Sequence, residues 1–116
     1  MMTEAQIQRA VFEHLRRRPA KGVFAFHPAN GGWRLATEAR ILKGMGVIAG
    51  VPDVIIYKFG RPFALELKTE KGRLSAEQIL TIGVMEQAGV ACHTAYGLDA
   101  ALDWLEREGI LVGERT

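Results

Sequence analysis

A chain of 116 residues, 48% hydrophobic and 24% charged, has room for one hydrophobic core, here read as a single domain over residues 1–116, and excludes a long disordered tail. The formal net charge of +2 is too small to announce a nucleic-acid partner by itself, so the placement of the basic residues matters more than their sum. The single cysteine, Cys92, excludes an internal disulfide, no apolar run approaches the roughly 18 residues of a membrane span, and the N-terminus lacks a signal peptide's apolar stretch; the expectation is a soluble cytoplasmic protein.

Thr3 and Gln6 read as a capping box. Ile7, Val11 and Leu15 then recur at helical spacing until Arg16, Arg17, Arg18 and Pro19 close the segment. Residues 23–27 alternate as a short strand, and Pro28, Asn30, Gly31 and Gly32 mark a loop. Residues 37–43 form a short helix ended by Gly44. The stretch 44–52 carries three glycines and a proline among small apolar residues, the composition of a tight loop whose backbone approaches something closely.

Two strand-like runs follow, 53–57 and 62–68, joined by Lys58-Phe59-Gly60-Arg61 as a hairpin. Ser75 and Gln78 make a second capping box, and Ile79, Ile82 and Met85 or Glu86 mark a helix ending near Gly89. Residues 90–96 read as another strand. Asp99 is expected to cap a last helix carrying Leu102 and Leu105 and stopped by Gly109. The order is α-β-α-β-β-α-β-α, without repeats or linkers.

Side chains alternate along a strand, so Phe63, Leu65 and Leu67 share one face while Ala64, Glu66 and Lys68 share the other. A turn centred between Phe59 and Gly60 pairs residue 53 with residue 66, which sets Asp53 against Glu66. Directly opposed residues hold their Cβ atoms about 4.5–5.5 Å apart, and two like charges at that spacing destabilise a sheet unless something compensates. A hard divalent cation such as Mg²⁺, which takes oxygen ligands, would do so, and Lys68 would add an ammonium one pleat further on. Taken singly, Glu66 and Lys68 read as a solvated strand face and Asp53 as a turn residue after Pro52; taken together, with the glycines upstream, they read as a site.

The remaining candidates have ordinary readings beside the functional ones. Arg16 to Arg18 either touch a polyanion or complement a helix C-terminus. Trp104 belongs to the apolar face of the last helix, whereas Trp33 is open between base stacking and packing. His14, His27 and His93 lack metal-ligand spacing and read as core or surface, and Cys92 reads as core.

Gly50-Val51-Pro52-Asp53, a hydrophobic strand and Glu66-Leu67-Lys68 resemble the PD-(D/E)XK nuclease signature. With Gly72-Arg73-Leu74-Ser75-Ala76-Glu77-Gln78 downstream and Asn30-Gly31-Gly32 upstream, nearly the whole chain resembles the VRR-NUC family, the virus-type replication-repair nucleases. That resemblance implies an α/β, restriction-endonuclease-like core, a mixed sheet with a central hairpin flanked by helices. It further implies DNA phosphodiester hydrolysis with Mg²⁺ or Mn²⁺, in a bacterial or phage-infected cell.

Carried over by position, Asp53 and Glu66 match the metal-binding carboxylates, Lys68 the catalytic lysine, Gln78 the glutamine on the following helix, and Leu67 the position whose backbone carbonyl faces the metal. Glu4 is similar to an acidic residue on the first helix that binds metal directly or through water, although a first-turn glutamate also suits the helix dipole. Asn30, Arg34, Lys43, Lys71 and Arg73 flank the site and are expected to meet the DNA backbone. The leading expectation is an endonuclease, with branched or junction DNA as its candidate substrate in replication, repair or recombination, acting as a homodimer. The alternative is a catalytically inactive nucleic-acid-binding or assembly module with a nuclease fold; a small-nucleotide phosphohydrolase is a third reading.

Overall fold

A computed structural model describes residues 1–29 and 35–116; the expected loop at Asn30, Gly31 and Gly32, together with Trp33 and Arg34, lies outside the described residues. The elements follow the expected order: α1 (Glu4–Arg17), β1 (Val23–Phe26), α2 (Ala36–Gly44), β2 (Val54–Lys58), β3 (Arg61–Lys68), α3 (Ala76–Gln87), β4 (Ala91–Tyr96) and α4 (Leu98–Arg107). Both capping boxes form. The Thr3 and Ser75 hydroxyls accept from the Gln6 and Gln78 amides at 3.1 Å, and each glutamine returns its side-chain oxygen to the cap amide at 2.9 Å.

The strands make one sheet in the order β1-β2-β3-β4, antiparallel except for the parallel β3–β4 pair. Parallel neighbours require a crossover, and α3 provides it. In the hairpin, Lys58 pairs with Arg61, leaving Phe59 and Gly60 as a two-residue turn with φ of 48° and 79°. Positive φ at both positions is the type I′ geometry, whose twist matches the flanking strands. It fixes the register at Val54↔Leu65, Ile55↔Ala64 and Ile56↔Phe63.

One face of the sheet, with Val54, Ile56, Phe63, Leu65 and Leu67, packs against Ile7, Val11 and Leu15 of α1 and Leu102, Trp104 and Leu105 of α4. Burying a Leu or Ile side chain contributes about 1.5–3 kcal/mol, so this cluster supplies the main driving force for folding. Trp104 meets Phe63 edge-on at 6.0 Å and stacks on His93 at 5.2 Å, which settles both residues as packing groups. Alternation sends Ala64, Glu66 and Lys68 to the opposite face.

One local expectation is corrected. Asp99 does not cap α4: Gly97 occupies the N-cap position without a side-chain bond, and Asp99 lies within the first turn. The reversal after β4 is made at Gly97, whose amide donates to the Lys68 carbonyl at 2.8 Å, so the helix starts one residue before Asp99. Among the described residues, no helix is long and apolar enough to cross a membrane.

The arginine run has a structural occupation. Arg18 is buried, donates to Glu106 at 2.7 Å and reaches the Val112 and Gly113 carbonyls, while Arg17 donates to the carbonyls of Glu114 and Arg115. Arg115 closes on the same Glu106, and the two guanidiniums hold that carboxyl down at about 2. This clasp ties α1 to the chain beyond α4. Arg18→Ala leaves several acceptors without their donor and is expected to cost about 2 kcal/mol, a fall in Tm of roughly 10 °C; thermal denaturation indistinguishable from the parent would refute the clasp.

Candidate functional site

Two prolines decide how the sheet ends. The Phe59 amide donates to the Gly22 carbonyl at 3.0 Å, so odd-numbered residues of β2 bond towards β1; continuing that register sets Pro28 opposite Asp53. Even-numbered residues of β2 bond towards β3 from the Lys58–Arg61 pair onward, and the same continuation sets Pro52 opposite Leu67. Proline has no N–H to donate. The ladder therefore stops at both places, and the main-chain carbonyls of Asp53 and Leu67 are left without the strand donors they would otherwise receive.

Asp53 lies one residue before β2, where the register sets it against Glu66 as expected. Its carboxylate fills part of the interrupted ladder, accepting from the Leu67 amide at 3.0 Å. Since a strand residue directs its N–H and C=O to the same side, the Leu67 carbonyl looks the same way. Leu67 itself is a core residue with no exposure.

Glu66 is only 2% exposed. Its Oε2 accepts from Gln78 Nε2 at 2.9 Å and lies 3.6 Å from Lys68 Nζ, while its Oε1 is buried without any hydrogen-bond partner. Burial, then the negative charge of Asp53, pushes the Glu66 carboxyl up to about 7; Lys68 pulls the other way, and Glu4 adds to the rise. Lys68 is buried as well, at 8% exposure, so its ammonium acts with little screening by water.

The close approach foreseen in the glycine-rich loop is made by Gly50. A Cβ there would sit 2.5 Å from the Glu77 carbonyl oxygen and 2.9 Å from the Gln78 nitrogen, and the residue has φ of +82°. Only glycine fits both conditions. The contact seats the first turn of α3 on the loop leading into Asp53, and Thr81 reinforces it by donating to the Ala49 carbonyl at 2.6 Å.

The donor set consists of oxygen atoms alone: the Asp53 carboxylate, the unpartnered Glu66 oxygen and the Leu67 carbonyl. Hard divalent cations take such ligands, completed by water or substrate oxygens. Among the described residues, no three or more His, Cys, Asp and Glu side chains gather as a metal cluster, and the negative charge of Glu4 adds to the rise of the Glu66 carboxyl. The residues present fit an ion held by two carboxylates and one carbonyl.

The structure thus brings together Asp53, Glu66, Leu67, Lys68 and Gln78, with Glu4 in electrostatic range. Lys43, at the end of α2, and Lys71 and Arg73, in the loop after β3, are exposed and join none of these contacts. Asn30 and Arg34 lie outside the described residues. Burial pushes the Cys92 thiol up to about 11, far from a reactive thiolate. His14 is engaged by Arg17 and Arg18. His27, which spacing relegated to core or surface, is hydrogen-bonded through Nδ1 to the Asp53 carbonyl at 2.7 Å. The signal that finds it is the proline that follows.

A mixed sheet whose central hairpin presents paired carboxylates and a lysine, flanked by helices, defines an α/β domain. Two solved structures share it over most of the chain. One, a "VRR_NUC domain protein", superposes with a TM-score of 0.74 at 23% identity, covering 92% of this chain and 88% of that one. The other, a "VRR_NUC domain", gives 0.60 at 17% identity over 91% and 97%. The chain has the VRR_NUC fold. No protein-family model and no curated protein matches it.

The raised carboxyl has a consequence for stability. Glu66 binds its proton more tightly in the folded protein, at about 7, than at its ordinary 4.5, so the stabilisation present below 4.5 is lost as pH rises through 7. In chelator, the parent should lose about 2–3 kcal/mol of unfolding free energy between pH 4.5 and 8 from this group, and Glu66→Gln should remove that slope. Urea denaturation across this range measures it; equal slopes in both proteins would refute the assignment.

Proposed function

We propose that the chain is a metal-dependent endonuclease that hydrolyses DNA phosphodiester bonds, with branched or junction DNA as its substrate in replication, repair or recombination in the cytoplasm of a bacterial or phage-infected cell. The observation that carries this reading is the buried, unpartnered oxygen of Glu66, set against Asp53 and beside Lys68. A sheet does not retain two opposed carboxylates and a desolvated lysine for stability.

Asp53, Glu66 and the Leu67 carbonyl would hold Mg²⁺ or Mn²⁺, and the bound ion supplies Lewis acidity at a phosphoryl oxygen and acidifies a bound water. The residues around it have separate tasks. Gln78 orients Glu66 by occupying Oε2, which leaves Oε1 for the ion. Lys68 meets the negative charge that grows on the phosphorane oxygens, a charge interaction strengthened by its burial. Arg34, Lys43, Lys71 and Arg73 would neutralise DNA phosphates, making binding salt-dependent, and Asn30 would help shape a phosphate-facing loop.

Purified protein incubated with supercoiled, linear, flapped and four-way DNA is expected to cut with Mg²⁺ or Mn²⁺ and not with chelator. Asp53→Ala, Glu66→Gln and Lys68→Ala should each lose at least about 100-fold in rate. Absence of metal-dependent cutting, or Asp53→Ala cutting like the parent, would favour the inactive binding module instead.

Pairing of two copies suits a two-armed substrate, and α3 offers a face for it. Ile82 and Met85 are half-buried on its inner side, yet Leu80 and Val84 on the outer side are 70% and 61% exposed and Ile79 is 59% exposed. An exposed apolar patch made by Ile79, Leu80 and Val84 calls for a cover. The parent should sediment as a dimer and Leu80→Asp as a monomer with unchanged circular dichroism; a monomeric parent would refute the pairing.

A further inference from the structure

His27 and Pro28 act as a unit on Asp53. Pro28 occupies the position on β1's continuation whose amide would bond to the Asp53 carbonyl, and it has no proton to give. The His27 imidazole stands in for it: Nδ1 lies 2.7 Å from that carbonyl oxygen. A carbonyl only accepts, so Nδ1 carries the hydrogen, in either the neutral Nδ1–H form or the imidazolium. The Asp53 backbone is thereby held through a side chain at the place where the main-chain ladder has ended, one residue before β2.

What is held there is the carboxylate that accepts from the Leu67 amide at 3.0 Å. We propose that His27 is a positioning residue for Asp53: it supplies the hydrogen-bond donor that Pro28 lacks, and so keeps the Asp53 carboxylate on the Leu67 amide and facing Glu66. The inference deepens the nuclease reading and rests on it for its functional meaning, while the contact itself is a matter of backbone geometry. A side-chain donor holds the carbonyl without continuing the strand, so the β1–β2 pairing can end at Pro28 while Asp53 keeps its place. His27 touches the peptide of Asp53 and is assigned no contact with substrate.

The test uses the metal-free full chain and reads hydrogen exchange of the Leu67 amide, whose acceptor is the Asp53 carboxylate. In His27→Ala this amide should exchange about tenfold faster, while the Ile56 and Leu65 amides in the intact ladder stay unchanged and report a retained fold. Adding Pro28→Ala to His27→Ala restores a main-chain N–H at the vacant place and should return Leu67 exchange to within about threefold of the parent. Mn²⁺ affinity by calorimetry should follow, about tenfold weaker in the single variant and recovered in the double.

Unchanged Leu67 exchange in His27→Ala would overturn the proposal, and so would a loss that the double variant fails to repair. If the parent binds no Mn²⁺ and cuts no DNA, the nuclease reading fails, and the exchange measurement still decides what His27 does.

Discussion

The constraint on which the rest depends is the placement of two carboxylates directly across a hairpin, one of them in the interior. Two unit charges about 5 Å apart repel by roughly 3 kcal/mol at an effective dielectric constant near 20. The rise of the Glu66 carboxyl from 4.5 to about 7 has burial as its larger cause and the charge of Asp53 as the next. A proton on Glu66 or a divalent cation between the pair resolves the same electrostatic problem. Without metal, Glu66 takes up a proton as pH falls through about 7, and a bound cation would favour the ionised carboxylate instead.

Holding that arrangement requires the sheet to end where it does. Had Pro28 and Pro52 been residues with an N–H, both ladders would have continued past Asp53 and Leu67 and consumed the two carbonyls. The prolines stop the pairing with no loss of register, since the I′ turn at Phe59-Gly60 and the apolar face of Val54, Ile56, Phe63 and Leu65 have already set it. Side chains then take over from main chain at the sheet's end, Asp53 serving the Leu67 amide and His27 serving the Asp53 carbonyl.

Much of this was legible in the sequence for a physical reason. Alternation and turn length are arithmetic on residue numbers, so the pairing of Asp53 with Glu66 and their shared face with Lys68 could be derived before any coordinate. The capping boxes were legible because three-residue spacing dictates their bonds. The role of His27 was not, because a histidine in a short strand carries no spacing of its own; its bond becomes foreseeable only when β1's register with β2 places Pro28 opposite Asp53. The Asp99 cap failed for a related reason, since an acidic residue near a helix start fits the cap and the first turn equally well, and only the reversal at Gly97 chooses between them. The arginine run was ambiguous for want of its acceptors, which arrive from nearly a hundred residues away at the other end of the chain.

Gln78 shows why the structural and functional readings of one residue need not compete. Its side-chain oxygen accepts from the Ser75 amide and so starts α3, while its side-chain nitrogen donates to Glu66 Oε2. The amide group has one acceptor end and one donor end, and each end has a different partner. Glutamate in its place would cap the helix as well but would set a third carboxylate against Glu66 and Asp53, adding to the repulsion that the site must already contain. The helix start tolerates either residue, whereas the buried carboxylate tolerates only the one that donates. The choice at position 78 is therefore made by the site, and the cap that makes the helix recognisable also carries the donor that fixes which oxygen of Glu66 remains open.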